Sequence, residues 1–171
     1  MKQFLLVTAL LLIAGPTLAG VREWRADDRG RTSLGCTPVP VANAPRDSNP
    51  TTRVNIDIEF LDKNGNPRDV PMFSVLHFLA DGSRADRWNQ YKYETFQFVP
   101  EGKDNNGNDK PVNFIFIGSL HRHPKQVIGM QLWAPLKGSN DPDWYYQEYI
   151  GTNENHHLTL TARCTEEPLH E

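Results

Sequence analysis

His121 and His123 stand two apart, so on an extended strand they share a face, and His156 lies beside His157 near a later turn. If those two loops meet, the imidazoles of His121, His123 and His156 converge as a transition-metal site, with zinc the common occupant of such ligands. His121-Arg122-His123-Pro124 also reads as an ordinary polar turn, and that reading is preferred. His77 sits in an apolar run and reads as a hydrogen-bonded core residue rather than a ligand. Asp104 to Asp109 (DNNGND) and Asp62 to Asn66 (DKNGN) are rich in the oxygens that calcium takes. Neither keeps the EF-hand spacing, because the glycine is misplaced and the closing glutamate is missing. The same residue types are those that tight turns require, so calcium stays the secondary reading.

Nucleophile and acid–base motifs are absent: there is no G-x-S-x-G, no H-E-x-x-H, no P-loop and no dinucleotide fingerprint. The carboxylates are scattered. No residue is assigned a catalytic role, and the chain reads as non-enzymatic. The aromatic residues carry more. Trp133, Trp144, Tyr145, Tyr146 and Tyr149 fall within seventeen residues, on either side of a polar loop. On a strand, Trp144, Tyr146 and Glu148 face one way, and Tyr145, Gln147 and Tyr149 the other. Trp133, Trp144, Tyr146, Glu148 and Tyr149, with the 135–149 loop, are the expected contact surface, because exposed Trp and Tyr give large contact area at low entropic loss. The competing reading is that both sets fill a core.

These residues must be held by a scaffold, and the chain ends describe its setting. Met1-Lys2-Gln3 supplies a charge, residues 4–14 an apolar run, Gly15-Pro16 a break, and Thr17-Leu18-Ala19 small residues before Gly20. That layout reads as a cleavable export signal over residues 1–19. The apolar run is too short to span a bilayer, which takes about 20 residues. No later stretch is apolar enough to insert in a membrane. The expected location is periplasmic or secreted. Two cysteines, Cys36 and Cys164, near the ends of the mature chain are expected to pair as a disulfide. Neither has a local base that would activate a thiolate.

The mature chain of 152 residues suits one domain. Of 18 Lys and Arg, Lys2 lies in the leader, so 17 face 21 Asp and Glu, a net charge of −4. Arg22, Arg25, Arg29 and Arg31 alternate with acidic residues. No basic patch suits nucleic acid or an anionic membrane.

Residues 20–52 are Pro-rich and read as an extended arm, with a short strand near Cys36. The β-rich part spans 53–171. Val54, Ile56, Ile58 and Phe60 alternate with Asn55, Asp57 and Glu59, the period-2 mark of a half-buried strand. Asn64-Gly65 reads as a hairpin turn. Further strands are expected at 70–79, 88–99, 112–120, 127–134, 144–150 and 157–164. The aromatic phase changes between Tyr93 and Phe96, which points to a bulge at Glu94-Thr95. No amphipathic helix is found. About seven strands joined by turns imply an all-β antiparallel sandwich or small barrel, a meander in connectivity, with the arm fastened over a sheet edge by the disulfide. The pattern best fits an exported module that binds a protein partner, as a periplasmic inhibitor or immunity-type protein does. A carbohydrate-binding module, a secreted effector and a metal protein or enzyme built on the three histidines are the alternatives.

Overall fold

Period-2 alternation is realised almost everywhere it is written. The computed structural model describes residues 30–39, 41, 50–85, 91–120, 123–136, 138–151 and 156–168; residues 1–19, read above as an export signal, lie outside these. The strands are β1 (Arg31–Val39), β2 (Arg53–Leu61), β3 (Pro67–Phe78), β4 (Tyr91–Val99), β5 (Gly102–Lys103), β6 (Asp109–Lys110), β7 (Asn113–Leu120), β8 (His123–Trp133), β9 (Trp144–Gly151) and β10 (His156–Glu167). Among the described residues there is no helix.

Eight strands form one antiparallel sheet in the order β3-β2-β1-β10-β9-β8-β7-β4, and β5 with β6 makes a separate two-stranded ribbon in the 101–110 loop. The strand count is thus eight rather than about seven. The eighth is β1, the arm strand expected near Cys36. It lies in the middle of the sheet between β2 and β10, not over an edge. Topologically the molecule is two meanders, β1 to β3 and β4 to β10, joined where the first and last strands pair. The sheet edges are β3 and β4, which follow one another in the chain.

The sheet is neither a two-layer sandwich nor a closed barrel. It is open and curled into a half-barrel. Phe73 on β3 stacks on Phe116 of β7, with ring centroids 4.0 Å apart. Those strands are six steps apart in the sheet, roughly 29 Å if it were flat at about 4.8 Å per step. Only curling brings them together. Phe60 of β2 likewise meets Phe114 of β7 at 6.1 Å, and Phe114 stacks on Trp144 of β9 at 6.4 Å. The concave face is the core, filled by Leu34, Ile56, Ile58, Phe114, Ile128, Met130, Leu132, Trp144 and Tyr146.

Local chemistry sets the connections. The register of β4 on β7 slips between Tyr93 and Thr95, the bulge that the aromatic phase change implied. Two turns are built alike. Asp62 Oδ1 accepts from the backbone N–H of Asn64 and of Asn66, both at 2.8 Å, and Asp104 Oδ1 accepts from Asn106 and Asn108 at 2.8 and 2.9 Å. Gly65 and Gly107 sit at φ of +79° and +82°, which L side chains rarely adopt. The oxygen-rich segments are therefore turn-capping aspartates.

Cys36 and Cys164 form the disulfide between directly paired positions of β1 and β10, across 128 residues of chain. Closing a loop of that length restricts the unfolded chain by about 4–5 kcal/mol in the entropy model. Replacing both cysteines by alanine should lower the thermal midpoint by about 5–15 °C, from a loss of about 2–5 kcal/mol. Calorimetry of the double variant showing an unchanged midpoint would mean that the backbone ladder alone holds the two meanders.

Candidate functional site

The alternation of β9 decides which aromatics meet solvent. Its exposure pattern puts Trp144, Tyr146, Glu148 and Ile150 inward and Tyr145, Gln147, Tyr149 and Gly151 outward. This corrects the expected contact surface. Trp144, Tyr146 and Glu148 are buried in the core, where no partner surface reaches them. Trp133 and Tyr149 are half-buried and point outward. The reason is packing: the bulky phase of β9 completes the core opposite Phe114.

Glu148 enters that core with partners. Its Oε1 accepts from the Tyr146 hydroxyl at 2.6 Å and bonds His77 Nε2, and all three side chains are sealed from solvent. A carboxylate taken from water without such partners would be strongly unfavourable. His77 lies on β3 and Glu148 on β9, so the network spans the concave face. His77 is thus a hydrogen-bonded core residue.

Of the three histidines read as metal ligands, only His156 has a described side chain. His156 is exposed, with its ring edge-on to Tyr149 at 6.1 Å. His121 and the side chain of His123 lie outside the described residues. No group of three His, Cys, Asp or Glu side chains with metal-binding geometry occurs among the described residues.

On the convex face of β4, β7, β8, β9 and β10 two adjacent rows cross the sheet. One runs Thr95, Ile117, Gly129, Tyr149, Leu158; the next runs Gln97, Ile115, Gln131, Gln147, Thr161. Neither contains a charge. The convex face of β1 and β2 differs sharply, with Arg31 paired to Asp57 at 3.2 Å and Glu59 beside it. A groove of about 550 Å³ lies along these rows, lined by Ile115, Ile117, Val127, Gly129, Tyr149 and, at one end, His156. Gly129, which lacks a side chain, leaves a notch between Ile117 and Tyr149.

Beyond the rows, where β9 and β10 meet the 135–143 loop, a charged and aromatic cluster is fixed in place. The Tyr145 hydroxyl donates to Asp141 Oδ2 at 2.8 Å, and the Asp143 backbone N–H donates to Asp141 Oδ1 at 3.1 Å. Arg163 pairs with Asp143 at 2.6 Å and Asp141 at 3.6 Å, and its guanidinium lies 5.7 Å from the centre of the Tyr145 ring. Trp133 is the register neighbour of Tyr145 on β8. The Asp143 N–H, the Tyr145 hydroxyl and the Arg163 charge hold the Asp141 carboxyl below its ordinary value. The Tyr145 hydroxyl is pushed up, chiefly because it donates to Asp141. Sequence reasoning named the aromatic stretch but mixed its two phases, taking the inward Trp144, Tyr146 and Glu148 with the outward Trp133 and Tyr149, and it did not single out Tyr145, Asp141 or Arg163. The available signal was Asp141, Asp143 and Tyr145 in one short run; Arg163 is on another strand and had none.

Two tests follow from this geometry. Trp144→Ala should cost about 3–5 kcal/mol of stability, as a core deletion does, in denaturant unfolding. A loss below about 1 kcal/mol would be a surface value and would return Trp144 to the outside. A depressed carboxyl stabilises above the unfolded value and loses that contribution as pH falls through the folded one. The Asp141 clamp should therefore release on acidification below about pH 4. Nuclear magnetic resonance of the Tyr145 ring should report that release and a higher alkaline midpoint, with Asp141→Asn abolishing both. Equal titration in the two proteins would mean that the bond is not formed in solution.

Comparison of this chain with protein-family models, with curated proteins and with solved structures returns no match.

Proposed function

We propose that this chain is an exported, non-enzymatic module that binds a protein partner through Tyr145, Arg163 and Trp133. The observation that carries the reading is the state of Tyr145. The residue is 41 % exposed, yet its hydroxyl is bonded and a guanidinium lies over its ring. Aromatic and arginine side chains dominate protein interfaces, and fixing them in advance removes the ordering loss that binding otherwise carries. Arg163, more than half exposed, keeps donor capacity beyond its two aspartates. Export is supported by the leader layout and by a disulfide, a bond that persists in oxidising compartments. A periplasmic inhibitor or immunity-type role lies within this reading.

The partner is found by affinity purification from the native cells, and the contact is then tested by substitution. Tyr145→Ala and Arg163→Ala should each weaken the purified complex about tenfold or more while leaving the thermal midpoint within a few degrees of wild type. Unchanged affinity in both variants rejects this surface. Binding to a glycan array with no protein partner recovered would replace the reading with carbohydrate recognition.

A further inference from the structure

On the reading that Tyr145, Arg163 and Trp133 contact a protein, we propose that this partner presents a cation there: an arginine or lysine side chain that lies over the Trp133 indole.

Trp133, Tyr145 and Arg163 are register neighbours on β8, β9 and β10, so their side chains stand in one row on the convex face. Part of that row already holds a cation on a ring. The Arg163 guanidinium lies 5.7 Å from the centre of the Tyr145 ring, and Asp143 and Asp141 pair with its charge at 2.6 and 3.6 Å. Trp133 is the next ring along. It is half-buried, and among the described residues its indole has no cation over it, no stacked ring and no hydrogen bond. Indole is the best aromatic seat for a cation, because the face of its ring system is the most electron-rich.

Charge decides the sign of what arrives. Among the described residues of this cluster, two aspartates face one arginine, which leaves one surplus negative charge. The chain as a whole stands at −3, so its long-range field also draws basic surfaces. The Asp143 N–H and the Tyr145 hydroxyl both donate to Asp141 and favour its ionised form. An anion seeking Arg163 would meet two carboxylates already paired with that guanidinium. A cation over Trp133 meets no such opposition. Strands two steps apart are separated by roughly 10 Å, about one screening length in 0.1 M salt, so Arg163 repels it little. Asp141, bonded to the Tyr145 hydroxyl, stands at the middle of the row and attracts both.

Titration of the mature protein with N-acetyl-arginine amide, and separately with N-acetyl-glutamate amide, tests the seat without the partner. The indole N–H of Trp133 should shift saturably in nitrogen–proton spectra with the arginine compound, with a dissociation constant on the order of millimolar, and stay in place with the glutamate compound. Asp141→Asn keeps an acceptor for the Tyr145 hydroxyl and leaves the Arg163–Asp143 pair intact; it should weaken this binding about threefold or more. The purified partner complex should weaken by a similar factor in Asp141→Asn and on raising salt from about 50 to 500 mM. Circular dichroism melts confirm that the variant is folded. No shift with the arginine compound, an equal shift with the glutamate compound, or a partner complex that tightens or is unchanged in Asp141→Asn overturns the proposal. If Tyr145→Ala still releases the partner in that case, the surface stands and only its cationic occupant is rejected. Unchanged partner affinity in both Tyr145→Ala and Arg163→Ala removes the surface itself, and this proposal with it.

Discussion

The pairing of β1 with β10 is the contact on which the rest of the structure depends. Each of the two meanders has a mostly apolar concave face and a free edge, and neither encloses a core by itself. Bringing the first and last strands into register, with Cys36 opposite Cys164, makes one sheet of eight and lets it curl until Phe73 reaches Phe116. The connection is long-range, so its closure entropy opposes folding until many contacts form together. The disulfide offsets much of that penalty in the oxidised protein. It lies buried at the centre of the sheet, which places it on the structural rather than the reactive side of cysteine chemistry.

Curling leaves β3 and β4 without a ladder between them, and the concave face must hold its shape by side chains alone. The His77, Tyr146 and Glu148 network contributes direction where apolar packing supplies only area. A hydrophobic cluster tolerates small slides of one strand past another. A glutamate that must meet a histidine from β3 and a tyrosine two residues away does not. Buried polar groups of this kind add little net stability but penalise other arrangements, since each misplacement leaves a desolvated polar atom. The network therefore ties β3 to β9 across the concave face.

Much of this was legible in the chain. β2 has the bounds that alternation marks, the bulge near Thr95 follows from the slipped aromatic phase, and the Asn-Gly turns follow from φ requirements. What the sequence could not convey is which strands are neighbours and which phase of a doubly aromatic strand faces in. Trp144-Tyr145-Tyr146-Gln147-Glu148-Tyr149 has a ring in each phase near its start, so period-2 reasoning returns two equal answers. The glutamate misleads further, because Glu148 looks like a surface residue until its two partners are known. The strand near Cys36 was legible, but its place in the sheet was not. Pro38 and the short apolar content of β1 read as an arm at an edge, whereas it lies between β2 and β10.

The convex side also distinguishes scaffold from surface. A half-barrel exposes one whole face, and the common solution is to cover it with charges, as β1 and β2 do. The described outward positions in the middle of β7, β8 and β9 carry isoleucine, valine, glutamine and tyrosine instead. Such a face is a liability for a lone soluble chain, since uncharged β surfaces associate. The residues that face out are set by what they meet, and Gly129 sharpens the point. A glycine in mid-strand weakens the strand and packs nothing. A Cβ at this position would meet Tyr149 Cβ at an ordinary 3.8 Å, so the core does not force a glycine here, and its absence of side chain leaves a notch beside Ile117.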